Sequence, residues 1–359
     1  MRDISIGDLD DLAMGAAVLG TGGGGDPYIG KLLARSAMLG KPPVSLMDPA
    51  DLADDDIVLP TAMMGAPTVM VEKIPSGEEI ITAIESLSAF LGKKVTATMP
   101  MEAGGVNSMI PFAVAAKLGI PVVDADGMGR AFPELQMVTP TIWGIQASPM
   151  AIADDKGNSA ILQTVDNRWT ETFARSLTVD MGASALISLY PMTGKQVKNA
   201  TIHRTVSLIE RIGRAIRESH ERHTDPVGAV CDVMGGFRIW EGKVGDVARR
   251  TVGGFARGTA SIVGSADYRG RTLEVDFQNE FLVARDGDDV LVTTPDLIAM
   301  LDAETGEPIT TESLRYGFRV VVIGAPSDQR WRTERGLELV GPSYFGYDLP
   351  FVPIESRFG

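Results

Sequence analysis

The chain has 359 residues, 44% of them hydrophobic, and a formal net charge of −14 at pH 7. This length predicts two domains with substantial cores. The excess of acidic over basic residues, with no basic cluster, argues against nucleic acid or an anionic membrane surface as a partner. The one cysteine argues against a disulfide framework and against export.

The first eight residues carry acids where a signal peptide carries bases followed by an apolar core. No stretch of ~20 uninterrupted apolar residues occurs, so no membrane span is expected. These two observations predict a cytoplasmic protein.

A glycine-rich stretch separates two predicted helices, at residues 8–19 and 28–39. It contains Gly20, four consecutive glycines, Asp26 as an N-cap and Pro27 in the first turn. Uncovered N–H groups that lead into a helix N-terminus can anchor an anion. We therefore predict substrate contacts from Thr21, Gly22, Gly23, Gly24, Gly25 and Asp26. The alternative is a tight helix–helix turn packed against another backbone. A helix precedes this loop where a Rossmann loop follows a strand, and no P-loop lysine is present.

Strands and helices alternate through the first half of the chain. Predicted strands at 43–47, 57–64, 94–99 and 120–123 enclose helices at 76–91 and 109–118. Further strands are predicted at 136–138, 149–153, 160–165 and 185–190, with a helix at 168–181. This alternation indicates an N-terminal α/β domain with a mainly parallel sheet.

The second half begins with a long amphipathic helix, predicted at 203–223, and a shorter one at 225–234. From Phe237 onward the period is close to 2, in short segments separated by turn residues. This pattern predicts a β-rich module, barrel- or sandwich-like. We place the N-terminal domain at 1–167 and the C-terminal domain at 168–359, with the long helix as a bridge.

Carboxylates cluster after two of the predicted strands. In a parallel sheet, ligands bind outside the carboxyl ends of the strands. Acids brought together raise each other's pKa, which can make one of them a general base near neutral pH. Glu102, Asp124 and Asp126 are therefore the candidate catalytic residues. The alternative for each is to cap the next helix.

Other polar residues near these strand ends are candidate ligand contacts. Arg130 is predicted to clamp a carboxylate, or else to pair with Glu134, which is itself a candidate substrate contact. Asn107 is predicted to bind substrate or to cap a helix.

Metal ligands are not obvious in this sequence. His220 and His223 share a helix end that is predicted to be solvated and that lacks the zincin spacing. Cys231 lies in an apolar run and is expected to be an inert buried thiol. No cofactor is expected, but a divalent metal held by carboxylates stays open.

Several long motifs resemble the S-methyl thiohydantoin desulfurase family, first described as a domain of unknown function and often encoded beside hydantoinase/oxoprolinase-type proteins. The matching segments are 20–27, 102–107, 124–134, 249–258, 277–280, 294–298 and 341–348, so the resemblance covers nearly the whole chain. It implies an α/β N-terminal domain and a β-rich C-terminal domain. It also implies a hydrolase that converts an S-methyl thiohydantoin, a small anionic heterocycle, to a hydantoin during catabolism of a sulfur-containing histidine derivative such as ergothioneine.

Two other functions stay open. One is a non-catalytic accessory subunit that binds a nucleotide or small anion for a hydantoinase/oxoprolinase-type partner. The other is a metal-dependent hydrolase. Predicted β edges and 17 methionines also make a homo-oligomer plausible.

Overall fold

The computed structural model describes residues 1–65, 77–252 and 255–359. Its helices are α1 (Leu9–Leu19), α2 (Pro27–Met38), α3 (Glu78–Leu91), α4 (Ile110–Leu118), α5 (Thr139–Ile142), α6 (Asn167–Asp180), α7 (Gly194–Ala200), α8 (Thr205–Arg222), α9 (Pro226–Met234), α10 (Glu334–Val340) and α11 (Glu355–Phe358). Short 3₁₀ turns lie between some of these elements.

The strands are short in the first half and longer in the second. They are β1 (Arg2–Ile4), β2 (Val44–Met47), β3 (Ile57–Val58), β4 (Thr61–Gly65), β5 (Val122–Val123), β6 (Ala125–Asp126), β7 (Met150–Ala153), β8 (Ser159–Leu162), β9 (Ser184–Ser188), β10 (Met192–Thr193), β11 (Ile202–His203), β12 (Phe237–Val252), β13 (Phe255–Gly264), β14 (Thr272–Gln278), β15 (Glu280–Asp286), β16 (Asp289–Thr293), β17 (Leu297–Asp302) and β18 (Arg319–Ala325).

The N-terminal sheet is parallel only in part. β1 pairs with β2 antiparallel, β2 pairs with β5 parallel, and parallel bridges join Thr98 to Val122 and Thr61 to Pro100. A second sheet, in the order β4-β9-β7-β8, is antiparallel throughout. The predicted mainly parallel sheet is therefore corrected to a small mixed sheet beside an antiparallel one. The reason is that β7 and β8 form a hairpin, which can only pair antiparallel.

The C-terminal sheet has seven antiparallel strands in the order β16-β15-β14-β13-β12-β18-β17. Strands β15 and β16, at one edge, contact β17 at the other edge, so the sheet curls into a half-barrel. Trp240, Phe277 and Phe281 are buried among the aliphatic side chains of this sheet. The predicted β-rich module is therefore present.

Helices from both halves of the chain pack in one core. The apolar face predicted for the long helix, which includes Val206, Ile209 and Ile216, is buried with side chains of α1, β17 and β18. Contact between α1 and α8 is close because of two glycines. A Cβ atom on Gly15 would lie 1.8 Å from the Ile209 carbonyl oxygen, and one on Gly213 would lie 1.8 Å from that of Asp11.

Some predicted elements differ from the structure. Residues 136–138 form no strand, and residues 94–99 contribute isolated bridges and no named strand. Strand β17 was not predicted, and residue 76, the predicted start of the helix at 76–91, lies outside the described residues. Strand β9 pairs with β4, so residues beyond 167 complete an N-terminal sheet. The domain division at residue 167 stays a prediction. In the described part of the chain, no helix combines the length and apolarity that a membrane span requires.

Candidate functional site

An open cleft lies between the glycine loop, strand β4 and the tip of the β14–β15 hairpin. It encloses about 790 Å³ of empty space, including its mouth. The described residues that line it are Gly24, Gly25, Ala62, Met63, Met64, Gly65, Met101, Glu102, Val106, Asn107, Met128, Phe132, Pro133, Glu134, Leu135, Arg175, Ile187, Leu189, Asn279 and Glu280. The walls are mostly apolar, with a few polar groups that converge, as is typical of small-molecule sites.

The glycine loop is held against two other loops by its own backbone. The Gly24 oxygen accepts a hydrogen bond from Val106 N at 2.9 Å, and the Thr21 oxygen accepts one from Phe281 N at 2.7 Å. Within the described residues, the N–H groups of Gly24 and Gly25 have no acceptor, although both glycines line the cleft. These two N–H groups are therefore available to a ligand.

The helix N-terminus behind this loop is already capped. Asp26 accepts a hydrogen bond from Tyr28 N at 2.8 Å and so occupies the end of α2. Neither Thr21, Gly22, Gly23 nor Asp26 is part of the cleft wall. The predicted anion site is thus reduced to the two N–H groups of the loop itself.

Glu102 is a buried acid in the cleft wall, and the residue is 7% exposed. Asn107 Nδ2 donates to its Oε1 at 2.5 Å. Burial raises the pKa of Glu102 to about 7, against the lowering effect of that hydrogen bond, and the charge of Asp126 raises it further. A carboxyl group that titrates near neutral pH can accept and return a proton during turnover.

Asn107 fixes Glu102 against β4. Its Oδ1 accepts from Met63 N at 2.7 Å, and its Nδ2 donates to the Met63 oxygen at 3.2 Å. The residue lies before α4 and does not cap that helix through its side chain. Its amide therefore positions Glu102 relative to the strand, while its side chain still lines the cleft.

Glu280 is the second buried acid of the cleft and was not predicted as a site residue. It is 2% exposed, and its Oε2 has no hydrogen-bond partner among the described residues. Burial raises the pKa of Glu280 well above its ordinary value, and the charge of Glu102 raises it further, while Arg130 lowers it. Burial and the Glu102 charge thus both favour the protonated form of Glu280.

The hairpin turn that carries Glu280 is hydrogen-bonded to strand β13 through Asn279. Asn279 adopts a φ of 59°, and its N–H donates to the Ala256 oxygen at 2.7 Å. The Asn279 Oδ1 accepts from Ala256 N at 2.9 Å. Motif 277–280 supported the family resemblance, and this was the available signal for Glu280. Its distance from Glu102 in sequence concealed that the two acids line the same cleft.

Asp126 is fully buried beneath the cleft. It accepts hydrogen bonds from Met128 N at 3.0 Å, Gly129 N at 2.7 Å and Thr205 Oγ1 at 2.8 Å. Burial raises the pKa of Asp126 to about 7, although these hydrogen bonds oppose the shift. Asp126 does not line the cleft, so its influence there is the charge that acts on Glu102.

Asp124 is engaged with α8. Its Oδ1 accepts from Ser207 N at 2.9 Å, its Oδ2 accepts from Ser207 Oγ at 2.5 Å, and its backbone oxygen accepts from Arg204 N. Asp124 is not part of the cleft wall. Asp124 thus binds the first turn of α8, a helix far along the chain, where the sequence analysis offered a cap of the next helix as the alternative to catalysis.

Arg130 is fully buried and binds backbone where a substrate clamp was predicted. Its guanidinium donates to the carbonyl oxygens of Ala131, Phe281, Pro295 and Asp296, and to Thr21 Oγ1. Burial lowers the pKa of Arg130 to about 10, against the charges of Glu280 and Asp296. With its donors used in this way, Arg130 has no contact with the cleft.

Glu134 lines the cleft but does not pair with Arg130. Its Oε2 accepts from Tyr344 Oη at 2.7 Å and also from Gln136 Nε2. Burial raises the pKa of Tyr344 to about 12, and the Glu134 hydrogen bond and charge add to that shift. Glu134 is thus a partly buried acid at the cleft wall, held by the C-terminal segment.

Metal-ligating side chains do not gather at this site. Across residues 1–65, 77–252 and 255–359, no group of three or more His, Cys, Asp and Glu is arranged to hold a metal ion. His220 Nε2 contacts the Thr305 oxygen at 2.5 Å at the far end of α8. Burial raises the pKa of the Cys231 thiol to about 11, as expected for an unreactive cysteine.

Comparison with protein families gives matches over both halves of the chain. The S-Me-THD-like N-terminal domain model matches residues 7–164, and the S-Me-THD-like C-terminal domain model matches residues 165–354. The chain belongs to the S-Me-THD-like family. The family resemblance drawn from the sequence motifs is thereby confirmed.

The S-Me-THD-like fold is also found in a solved structure. A crystal structure of a protein from Chromobacterium violaceum matches with a TM-score of 0.83 at 24% sequence identity, covering 99% of this chain and 100% of that one. This likeness supports the fold alone. A search of curated proteins finds no match.

Both parts of the S-Me-THD-like chain contribute to the cleft. Glu102 and Asn107 lie within the segment matched by the N-terminal model, whereas Glu280 and Arg175 lie within the segment matched by the C-terminal model. A site assembled from both segments explains why no single stretch of sequence revealed it.

Proposed function

We propose that this S-Me-THD-like chain catalyses the hydrolytic desulfurisation of an S-methyl thiohydantoin. The products would be a hydantoin and methanethiol, or hydrogen sulfide from the unmethylated ring. The observation that carries the proposal is the pair of buried acids, Glu102 and Glu280, which line the same cleft and whose pKa values are both raised by burial, that of Glu280 also by the charge of Glu102. Two acids that oppose each other's ionisation favour a state in which one is ionised and the other keeps its proton, as a base and an acid in one mechanism require.

The first step is attack of water on the ring carbon that bears sulfur. Ionised Glu102 takes a proton from water, and the new C–O bond forms as the carbon–nitrogen double bond opens. Protonated Glu280 gives its proton to that ring nitrogen as negative charge develops on it. The free N–H groups of Gly24 and Gly25 offer donors for negative charge that develops there.

The second step expels the sulfur. The C–S bond breaks as the hydroxyl oxygen forms a carbonyl and returns its proton to Glu280. Methanethiolate takes the proton held by Glu102. Both acids are then in their starting states, so one water is consumed for each hydantoin and thiol formed. No metal ion is needed in this scheme.

The apolar wall of the cleft suits this substrate. Met63, Met64, Phe132, Ile187 and Leu189 offer surface for a flat ring and for an S-methyl group. An apolar wall excludes water from the two acids. The resulting surroundings of low polarity raise the pKa of each acid.

The test is thiol release by the purified full-length protein, with hydantoin formation followed in parallel and a chelator present or absent. Glu102→Gln and Glu280→Gln are each expected to lose about 10²–10⁴-fold in rate. Glu85→Gln, the same change at an exposed helix position, is the matched control and is expected to keep the rate. A folded wild type that releases no thiol from methylated or unmethylated rings overturns the proposal. Full activity of both site variants, or loss of activity with chelator, overturns the mechanism.

A further inference from the structure

A loop between β17 and β18 is hydrogen-bonded to two of the segments that form the cleft. Thr311 N donates to the oxygen of Gly22, in the glycine loop, at 2.8 Å. Thr311 Oγ1 donates to the oxygen of Asn279, in the hairpin turn directly before Glu280, at 2.7 Å. The next residue of this loop is Glu312. The loop therefore places a further acid beside the glycine loop and the hairpin turn.

The backbone around Glu312 is also held from strand β12. Arg249 Nη1 donates to the Glu312 oxygen at 2.8 Å, and Arg249 Nη2 donates to the Leu314 oxygen at 3.3 Å. The hydroxyl oxygens of Thr310 and Ser313 lie 3.0 Å apart and close the loop on itself. Because the main chain is fixed on both sides of Glu312, its carboxyl group has a defined place behind the cleft.

One carboxyl oxygen of Glu312 is buried without a hydrogen bond. The residue is partly exposed, but its Oε1 has no partner among the described residues, as is also true of Glu280 Oε2. Glu312 is not part of the cleft wall, so a bound substrate does not supply the missing donor. Charge on a buried oxygen is weakly screened and acts strongly on its neighbours.

Three charged groups act on Glu280 from different parts of the chain. Burial raises the pKa of Glu280, the charges of Glu102 and Glu312 raise it further, and the charge of Arg130 lowers it. Arg130 therefore favours the ionised form of Glu280, and Glu102 is itself the proposed base. Glu312 is the acid that opposes Arg130 without a part of its own in the reaction.

The surroundings of Glu312 include groups that favour its negative charge. Burial raises the pKa of Glu312, and the charge of Asp26 adds to that shift, whereas a hydrogen bond with Thr310 and the charge of Arg249 lower it. The arginine that holds the backbone of this loop thus also favours the ionised form of its acid.

We propose that Glu312 is a positioning residue whose negative charge keeps the proton of the acid pair on Glu280. Two acids that share one proton need a further charge to decide which of them holds it. Glu312 adjoins the hairpin turn that carries Glu280, so its charge favours a protonated Glu280 and an ionised Glu102. This inference rests on the proposed function for the roles of the two acids. Glu312 touches no substrate and transfers no proton.

The first test is the pH dependence of thiol release. Glu312→Gln keeps the shape of the side chain but removes its charge, so Glu280 should lose its proton at lower pH. On the alkaline side, kcat/KM should then fall about tenfold below wild type. Glu312→Asp keeps the charge on a shorter side chain and should restore most of that rate. Glu307→Gln, which removes an exposed acid from the same loop, is the matched control and should follow wild type.

The two substitutions of Glu312 distinguish charge from packing. A glutamine fits the native space better than an aspartate, so a purely structural role predicts that Glu312→Asp is the more impaired variant. That result would overturn the proposal. An unchanged pH profile in Glu312→Gln, or an equal loss of rate at every pH, would overturn it as well.

Infrared titration separates this proposal from the proposed function. The protonated carboxyl group of Glu280 has a C=O stretching band, which is identified by its absence in Glu280→Gln. This band should persist to higher pH in wild type than in Glu312→Gln, even where no thiol is released. Equal titration midpoints in the two proteins, or a wild type without the band at neutral pH, overturn the role of Glu312 whatever the turnover assay shows. A shifted midpoint without thiol release supports that role and counts against the proposed reaction alone.

Discussion

Gly23 lies so close to the carboxyl group of Glu280 that a Cβ atom on residue 23 would be 2.0 Å from Oε1 and 2.6 Å from Cδ. Gly23 does not have a positive φ, so the glycine is required here by this contact and not by its backbone conformation. The glycine loop thus sets the position of the acid that the C-terminal hairpin supplies.

Gly23→Ala is expected to displace the Glu280 carboxyl group and to lower kcat/KM by about 100-fold, since a shift of about 1 Å at a reacting group has such an effect. Thiol release and thermal unfolding are measured together. Gly7→Ala is the control, because its Cβ would meet nothing closer than Ser5 Oγ at 3.5 Å. Unchanged turnover in Gly23→Ala would show that the placement of Glu280 does not matter.

The rate should rise with pH through about 7, because Glu102 must be ionised to accept a proton from water and its pKa is raised by burial to about 7. Two pH units lower, kcat/KM is expected to be about 100-fold smaller. Asp126→Asn should keep this acidic limb, because the Asp126 carboxyl group lies outside the cleft, but move it to lower pH, because the Asp126 charge that raises the pKa of Glu102 is lost. A flat profile between pH 5 and 8 would exclude Glu102 as the base.

Glu102 is expected to reduce the stability of the fold at alkaline pH. Its pKa is raised from 4.5 to about 7, so the folded protein holds a proton that the unfolded chain has released. The destabilisation is absent below about pH 4.5, grows as pH rises, and reaches about 3 kcal/mol above pH 7.

Glu102→Gln removes this titration and should raise the free energy of unfolding at pH 8 by up to about 3 kcal/mol. Urea denaturation at pH 4 and pH 8 measures the difference between variant and wild type. The gain should vanish at pH 4. An equal gap at both pH values would show that packing, and not ionisation, separates the two proteins.

Asp124→Ala is expected to destabilise the protein by about 1–2 kcal/mol, because it leaves the Ser207 N–H at the start of α8 without its acceptor. Turnover of the folded variant should match wild type. Asp124→Asn keeps an acceptor oxygen and should recover most of the stability. A stable Asp124→Ala that releases no thiol would instead place Asp124 in the chemistry.

Local patterns predicted much of the fold. Helical periodicity located α1, α2, α8 and α9 to within a few residues, and the period of 2 located most of the C-terminal strands. Sheet direction was predicted less well, because it depends on pairing between distant segments. The β4–β9 pairing joins residues more than a hundred positions apart.

The candidate site was predictable on one side only. Glu102 and Asn107 were found because they follow a predicted strand within one loop. Glu280 and Arg175 were missed because an isolated acid in a hairpin and an arginine on an amphipathic helix have no distinctive sequence context. Arg130 was predicted to clamp a substrate carboxylate or to pair with Glu134, whereas its guanidinium donates to five buried acceptors.

The hydrogen bonds of the Arg130 guanidinium have a consequence for chimeras between members of the family. Four of the five acceptors of Arg130 are main-chain carbonyl oxygens, and three of these belong to Phe281, Pro295 and Asp296. Main-chain oxygens are present whatever side chain each position carries. A chimera that joins the first half of this protein to the second half of a diverged relative should therefore assemble wherever the backbone path is kept, even when few side chains agree.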